Sequence, residues 1–422
     1  MKRANKLIGL AALFLIVFFI YILLSSGSFA EETFFVDIND EKNYGDLINE
    51  MSQNNFVLLG EATHGTQEFY EIRGKLSKML IEEHGFDFIA VEGDWNSIYE
   101  LNLYVKGISE KNSAREILSG FDRWPEWMWA NKEIEELSEW LKEFNEGLPF
   151  EERVGFYGMD VYGAENSLLV VQEMTDLKYE CMSQFSNDFS DYAGYLYYRN
   201  EPCSNEVNEI YNEIKNSETF GSDFDDREFF YLKQNALVVK NAEKHYRGMV
   251  YQNVDSWNER VLHMNKTLEN LVEYKGDKAI VWAHNTHVGD SRFSAMSQTN
   301  NFNIGQLLRE SGSSVFILGF GTFKGNVLAG GSWGQEKEIM NIPEANENSY
   351  EYLFESLGIE NSLIIFEGVD LPEEIESINN NRAIGVVYNP QTEYPGNYVP
   401  TDIKNRYDAF IFIRKTSELK TI

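Results

Sequence analysis

Apolar and polar positions along this chain alternate between short unbroken apolar runs and longer stretches at helical spacing. Phe56 to Leu59 is fully apolar and stops abruptly at Gly60-Glu61-Ala62-Thr63-His64-Gly65. Such a run reads as a buried strand that delivers an acid and an imidazole to the loop at its carboxyl end. A helical pattern follows from Gln67 to about Glu83, with Tyr70, Ile72, Leu76, Met79 and Leu80 on one stripe. Three further strand-like runs end in the same way. Residues 86–91 run into Glu92-Gly93-Asp94-Trp95, residues 154–157 into Gly158-Met159-Asp160, and residues 278–283 into His284-Asn285-Thr286-His287. Residues 164–275 carry few strand signals and read as helices over 167–174, 205–214, 226–245 and 256–274, broken by a polar stretch at 216–226. The alternating pattern then resumes. It predicts a helix from Gly305, a strand at 315–319, a short β ribbon at 322–329, a helix at 350–357, and late strands at 363–366, 383–388 and 409–414.

The expected fold class is therefore α/β, a largely parallel sheet flanked by helices, with a helical insertion or lid. The expected organisation is a first part of the core at 31–163, the insertion at 164–275, and a second part of the core at 276–422. Residues 1–30 are set apart from the fold. A basic start with Lys2, Arg3 and Lys6 precedes 18 apolar residues from Leu7 to Leu24, and Ser28 and Ala30 offer a cleavage site. That pattern is an export signal, or an uncleaved anchor touching the membrane only through residues 7–24. Either places the body outside the cytoplasm, secreted or anchored. A net charge of -32 argues against nucleic acid as a partner, since such binding needs a basic footprint. The two cysteines, Cys181 and Cys203, allow one disulfide, which export would favour.

The four strand endings suggest one shared rim, because ligands of open parallel sheets bind outside the carboxyl ends of the strands. Three of the six histidines fall there. A histidine titrating near neutrality suits water activation, with Glu61 or Glu92 orienting the ring and Arg73, His284 or His287 donating to an oxyanion. Taken singly the residues have plainer readings. His64 or Asp160 could cap a helix, His284 could be a satisfied core histidine, and Arg73, nine residues after His64, could be a solvated helix charge. An aromatic cluster of Phe121, Trp124, Trp127 and Trp129 reads either as pocket lining or as helix-on-sheet packing. No Gly-x-Ser-x-Gly elbow occurs, and neither cysteine lies at a strand end, so a serine or cysteine nucleophile has no support.

These motifs resemble the erythromycin esterase family. The resemblance runs through Gly60-Glu61-Ala62-Thr63-His64-Gly65, residues 69–73, Glu92-Gly93-Asp94, Gly158-Met159-Asp160, the segment from Trp257 to Met264, Trp282-Ala283-His284-Asn285-Thr286-His287, Gly305 to Arg309, and Gly319 to Phe323. It implies an α/β core with a helical portion over an open cleft, hydrolysis of an ester such as a macrolide lactone, and an imidazole that activates water. On that resemblance the base falls on His64, and Glu61, Arg73, Glu92, His284 and His287 match the other functional positions. One departure is visible: where the family pattern carries Arg-Asp, Arg260 is followed here by Val261. Asp94, Asp160 and Arg260 are further candidates, whereas His84, His245 and His263 lie outside any constellation. The expectation is a hydrolase of a small-molecule ester that needs no cofactor. Two alternatives stand beside it. One is a divalent-metal hydrolase using His64, His284, His287, Glu61, Glu92 and Asp160 as ligands. The other is an extracellular protein that binds a ligand without catalysis.

Overall fold

The structure, a computed structural model, describes residues 35–40, 42–185, 189–251 and 256–422. The export signal or anchor expected at 1–30 lies outside these residues. Among the described residues no helix is long and apolar enough to cross a membrane.

The described residues form eleven strands: β1 Val36–Asp37, β2 Phe56–Leu59, β3 Phe88–Asp94, β4 Gly155–Asp160, β5 Ala279–Trp282, β6 Val315–Gly330, β7 Lys337–Ile342, β8 Ser362–Ile365, β9 Asn379–Arg382, β10 Tyr398–Thr401 and β11 Ala409–Thr416. Nine of them make one mixed sheet in the order β1-β8-β11-β6-β2-β5-β3-β4, with β7 folded back on β6. The six central strands from β11 to β4 are mutually parallel, whereas β1, β7 and β8 pair antiparallel at the margins.

The unbroken apolar runs follow from this topology. A parallel sheet covered on both faces needs hydrophobic side chains at successive positions, not at alternate ones. Phe56, Leu58, Phe88, Ala90, Ala279 and Val281 point into one core layer. Their neighbours Val57, Leu59, Ile89, Val91, Ile280 and Trp282 point into the other. Helices Gln67–His84, Trp95–Val105 and Lys132–Asn145 cover the second face. Between β4 and β5 the chain runs through helices Ala164–Met174, Ser190–Arg199, Ser204–Asn216, Glu218–Asp223, Asp226–Tyr251 and Ser256–Lys275, several of which pack on the first face. Cys181 and Cys203 are joined in a disulfide within this stretch, their Cα atoms 5.6 Å apart.

Three expectations are corrected. The strand at 315–319 and the ribbon at 322–329 are one continuous strand, β6, and β7 supplies the second arm of the hairpin. The glycines between the two expected segments lie where the backbone passes aromatic side chains. A Cβ at Gly319 would come within 2.9 Å of Tyr407, and one at Gly321 within 2.8 Å of Phe410. Residues 383–388 form no strand. Their amides are divided among three partners, Ala383 N donating to Asn397 O, Ile384 N to Ala62 O and Tyr388 N to Gly330 O, so they plug a gap instead of extending a ladder. Within the polar stretch at 216–226 the short helix Glu218–Asp223 forms, capped by the Ser217 hydroxyl, which accepts from Phe220 N.

Candidate active site

Strand order brings the chemistry together. β5 lies between β2 and β3, so the loops after these three strands are side by side although more than 200 residues separate His64 from His284 in sequence. Leu59 and Val91 are both level with Trp282 in the ladder. Glu61 and His284 each lie two residues beyond that level and Glu92 one residue beyond, with neighbouring strands about 4.8 Å apart. The chain leaves β2 past β5 toward β3 on the second face and leaves β5 past β2 toward β6 on the first, so the two connections run to opposite faces and leave a crevice between them. A bulge sharpens the arrangement. Val91 pairs with Gly158 but Asp94 with Asp160, so β3 carries one extra residue at Glu92-Gly93 and the Glu92 side chain is re-aimed toward the rim.

The loop after β2 is held by its backbone. Asn285 N donates to Glu61 O at 2.9 Å, and Leu328 N to Gly65 O at 3.0 Å. Gly65 is required by this contact, since a Cβ there would strike the Leu328 carbonyl. Within the loop, His64 Nδ1 donates to Glu61 Oε1 at 2.8 Å, and Arg73 Nη2 donates to Glu61 Oε2 at 2.7 Å. All three side chains are buried. Arg73 reaches back from helix Gln67–His84 and is sandwiched between the rings of Tyr70 and Trp282, 4.4 and 4.6 Å from their centroids. The Tyr70 hydroxyl donates to the His64 carbonyl at 3.1 Å. Burial depresses the basicity of His64, but the hydrogen bond and charge of Glu61, with the charge of Glu92, outweigh it and raise the ring above its ordinary pKa. The bond to Glu61 fixes the proton on Nδ1, which leaves Nε2 as the basic nitrogen.

His284 is a different kind of histidine. It caps the short helix Asn285–Val288, its Nδ1 accepting from Thr286 N at 3.3 Å. That acceptor role places the neutral ring's proton on Nε2, a buried atom with no hydrogen-bond partner. Burial and then the neighbouring charge of His64 hold His284 well below its ordinary pKa, so it stays neutral. Its ring lies 4.9 Å from that of His64. The site thus presents a basic nitrogen and, close by, an N–H donor whose neighbouring acceptor, the Ala62 backbone, is too poorly placed for a full hydrogen bond.

Behind these rings lies a charge network. Glu92 Oε2 accepts from His284 N at 2.9 Å, and Oε1 accepts from Arg260 Nη2 at 2.8 Å with His287 Nε2 3.3 Å away. Arg260 also grips both oxygens of Asp160, at 2.9 and 2.6 Å. Burial pushes Glu92 up, but His287, Arg260 and His64 together hold it well below the carboxylate range. Asp160 is lowered too, burial being outweighed by Arg260. Trp257 stacks on His287 with centroids 4.5 Å apart and an interplanar angle of 7°. Asp94 is paired with Arg123.

The cavity above the network holds about 380 Å³ and is lined by His64, Glu92, Asp160, Arg260, His284 and His287, with Phe121, Trp129, Tyr162, Trp257 and Trp333 among its aromatic walls. All six sequence candidates are accounted for: Glu61 and Arg73 sit directly behind His64, and the other four line the cavity. The plain readings of His64 as a cap and Arg73 as a solvated charge do not hold, since the first bonds Glu61 and the second is fully buried. The aromatic cluster divides. Phe121 and Trp129 line the cavity, Trp127 is core, and Trp124 packs on Trp333 at the hairpin tip. Arg260 and Asp160, weak from sequence, form the centre of the network. Tyr70, Trp257 and Trp333 were not singled out for the site; the first two fall inside segments that carry the family resemblance, and nothing in the sequence marks the third.

The carboxylates have protein partners: Glu61 has Arg73 and His64, Glu92 and Asp160 share Arg260, and Asp94 has Arg123. Among the described residues the one group of three metal-ligating side chains whose donor atoms converge is Cys181, Cys203 and Glu206. Its two sulfurs are already joined to each other.

A base held by an acid, beside a neutral donor in an aromatic cleft at the switch point of a parallel sheet, is the outline of an acid/base enzyme. The chain belongs to the erythromycin esterase family, whose model matches residues 81–416, and it is a hydrolase of that family. The matched span takes in Glu92, Asp160, Arg260, His284 and His287 and begins after Glu61, His64 and Arg73. The chain is 22% identical over 400 residues to erythromycin esterase type II of Escherichia coli, covering 86% of this chain and 89% of that protein. Its fold is shared with a Bacillus cereus protein at TM-score 0.74 and 20% identity, covering 90% of this chain and 93% of the other. It is shared also with a mutant of the erythromycin esterase EreC in an open conformation, at TM-score 0.64 and 15% identity, covering 89% and 94%.

Proposed function

We propose that this protein hydrolyses an ester by direct attack of water, with His64 as the base. The observation that carries the reading is the buried relay Arg73–Glu61–His64, whose geometry fixes the proton on Nδ1 and leaves Nε2 basic. Water in the cavity gives a proton to Nε2 as it adds to the ester carbonyl, and Glu61 stabilises the imidazolium that forms. The carbonyl oxygen becomes an oxyanion and accepts the unpartnered Nε2–H of His284. Collapse of the tetrahedral intermediate expels the alkoxide, which takes the proton back from His64. Arg73 fixes Glu61, while Arg260 and Asp160 hold Glu92 and through it the backbone of His284. No step calls on a metal.

A macrolide lactone is the first substrate to test, because the cavity is open and aromatic and a relative is named an erythromycin esterase. We also propose that the body lies outside the cytoplasm, secreted or anchored, a reading supported by the amino-terminal pattern and the Cys181–Cys203 disulfide.

Incubating the protein with a macrolide lactone and with a set of simpler esters in heavy-oxygen water, followed by mass spectrometry, tests the reading. The expected product is heavier by one water, with one labelled oxygen in the new carboxyl group, at a rate unchanged by prior dialysis against a chelator. Activity lost to the chelator and restored by zinc or manganese would replace the mechanism with a metal-assisted one. Ligand binding without turnover of any ester would favour the non-catalytic reading.

A further inference from the structure

A second cavity lies apart from the catalytic one. It holds about 1070 Å³ and lies at the opposite, amino-terminal edge of the sheet. Lys106 follows helix Trp95–Val105, Phe150 and Glu151 precede β4, Lys275 ends the helix that leads into β5, and Asp226 to Gln234 form the start of helix Asp226–Tyr251. His64, Glu92 and His284 all stand at the carboxyl edge.

The charge of this cavity is contrary to that of the molecule. In a chain of net charge -32, six cations line it (Lys106, Lys215, Arg227, Lys233, Lys266 and Lys275) against four acids, Glu151, Asp225, Asp226 and Glu273. Lys106 is the innermost, only 3% exposed. Its ammonium lies 5.3 Å from the ring of Phe150 and 5.7 Å from that of Tyr157. Burial, then the charges of Lys275, Arg153 and Arg227, bring it down to about 7. Among the described residues no carboxylate comes within 4.0 Å of the amines of Lys106, Lys215, Lys233 or Lys275. Lys275 donates instead to the Glu151 carbonyl at 2.7 Å. Among these cations Lys106 readily sheds its proton and hydrogen-bonds Lys275, and an anion bound beside the two amines would favour both being charged. The cavity is far larger than an inorganic ion needs, and Phe150, Tyr211, Phe229 and Tyr274 supply aromatic walls.

We propose that this cavity is a second ligand site, which binds an organic oxyanion of the phosphomonoester type. Lys106 and Lys275 hold its anionic end, and the aromatic walls receive its apolar body. The inference stands independently of the hydrolase reading, since it shares no residue with the catalytic cavity.

The probe is phenyl phosphate, titrated calorimetrically at fixed ionic strength into the whole protein, with inorganic phosphate as comparison. The expected result is saturable one-to-one binding, tighter than that of inorganic phosphate. It should weaken by about tenfold in Lys275→Gln and Lys106→Met, as loss of a charged hydrogen bond implies, and remain intact in His64→Ala. Lys275 is partly exposed, so Lys275→Gln decides the matter even if Lys106→Met fails to fold. No saturable binding, or binding that survives Lys275→Gln and disappears in His64→Ala, would overturn the second site. Equal affinity for inorganic phosphate would overturn the organic body.

Discussion

Replacing His64 by alanine is expected to lower kcat/KM for ester hydrolysis by roughly a hundredfold to ten-thousandfold, the usual contribution of a positioned general base. The fold should survive, because His64 sits in a loop whose backbone is pinned by Asn285 and Leu328 and not by the ring. Thermal unfolding measured beside the kinetics separates the two effects. An unfolding midpoint close to that of the parent with activity gone places the loss in the chemistry. Undiminished hydrolysis by the variant would remove His64 from the reaction. Some residual rate is expected, since the His284 donor and the cavity remain.

The largest effect on stability is expected at Arg73. Its guanidinium is fully buried and holds Glu61, which is also buried. Arg73→Met keeps much of the side-chain volume between Tyr70 and Trp282 but leaves Glu61 with His64 alone. Removing one member of a buried ion pair costs about 3–5 kcal/mol, because the remaining charge keeps its desolvation penalty. The double variant Arg73→Met, Glu61→Gln should recover part of that loss, since it leaves no buried carboxylate. Chemical denaturation of the parent, the two single variants and the double variant measures this coupling directly. Strict additivity of the single changes would mean that the pair does not act as a unit. Activity should not return with stability, because the glutamine cannot hold the charged imidazolium as the carboxylate does.

Much of this architecture was legible in the sequence. The four polar endings after residues 56–59, 86–91, 154–157 and 278–283 identified the parallel strands and their rim, because a doubly covered strand must be apolar throughout and must turn polar where it leaves the core. The order of those strands was not legible. Nothing local says that β5 inserts between β2 and β3, yet that insertion puts His284 beside His64. Arg260 was named as a candidate, but its central place was equally hidden, since its partners Asp160 and Glu92 lie 100 and 168 residues away and its own helix pattern is ordinary. Arg73 was marked by the family resemblance but looked like a surface charge by spacing. Its burial depends on the two rings that enclose it, which only the packing reveals. The break assumed within β6 shows the converse error: one strand was read as two, and the glycines at its middle let Tyr407 and Phe410 approach.

The most direct test of the central claim, that Glu61 tunes His64 as the base, is the pH dependence of kcat/KM in the parent and in Glu61→Gln. The base must be unprotonated, so activity falls as pH drops through the pKa of His64. In the parent that acid limb should lie above 6.5, the ordinary value for histidine, because the carboxylates more than offset burial. Without the Glu61 charge, burial prevails and the limb should move to lower pH, with a reduced plateau from the misoriented ring. A limb at the same pH in both proteins would contradict the account, because the group controlling the rate would then not be the histidine that Glu61 holds.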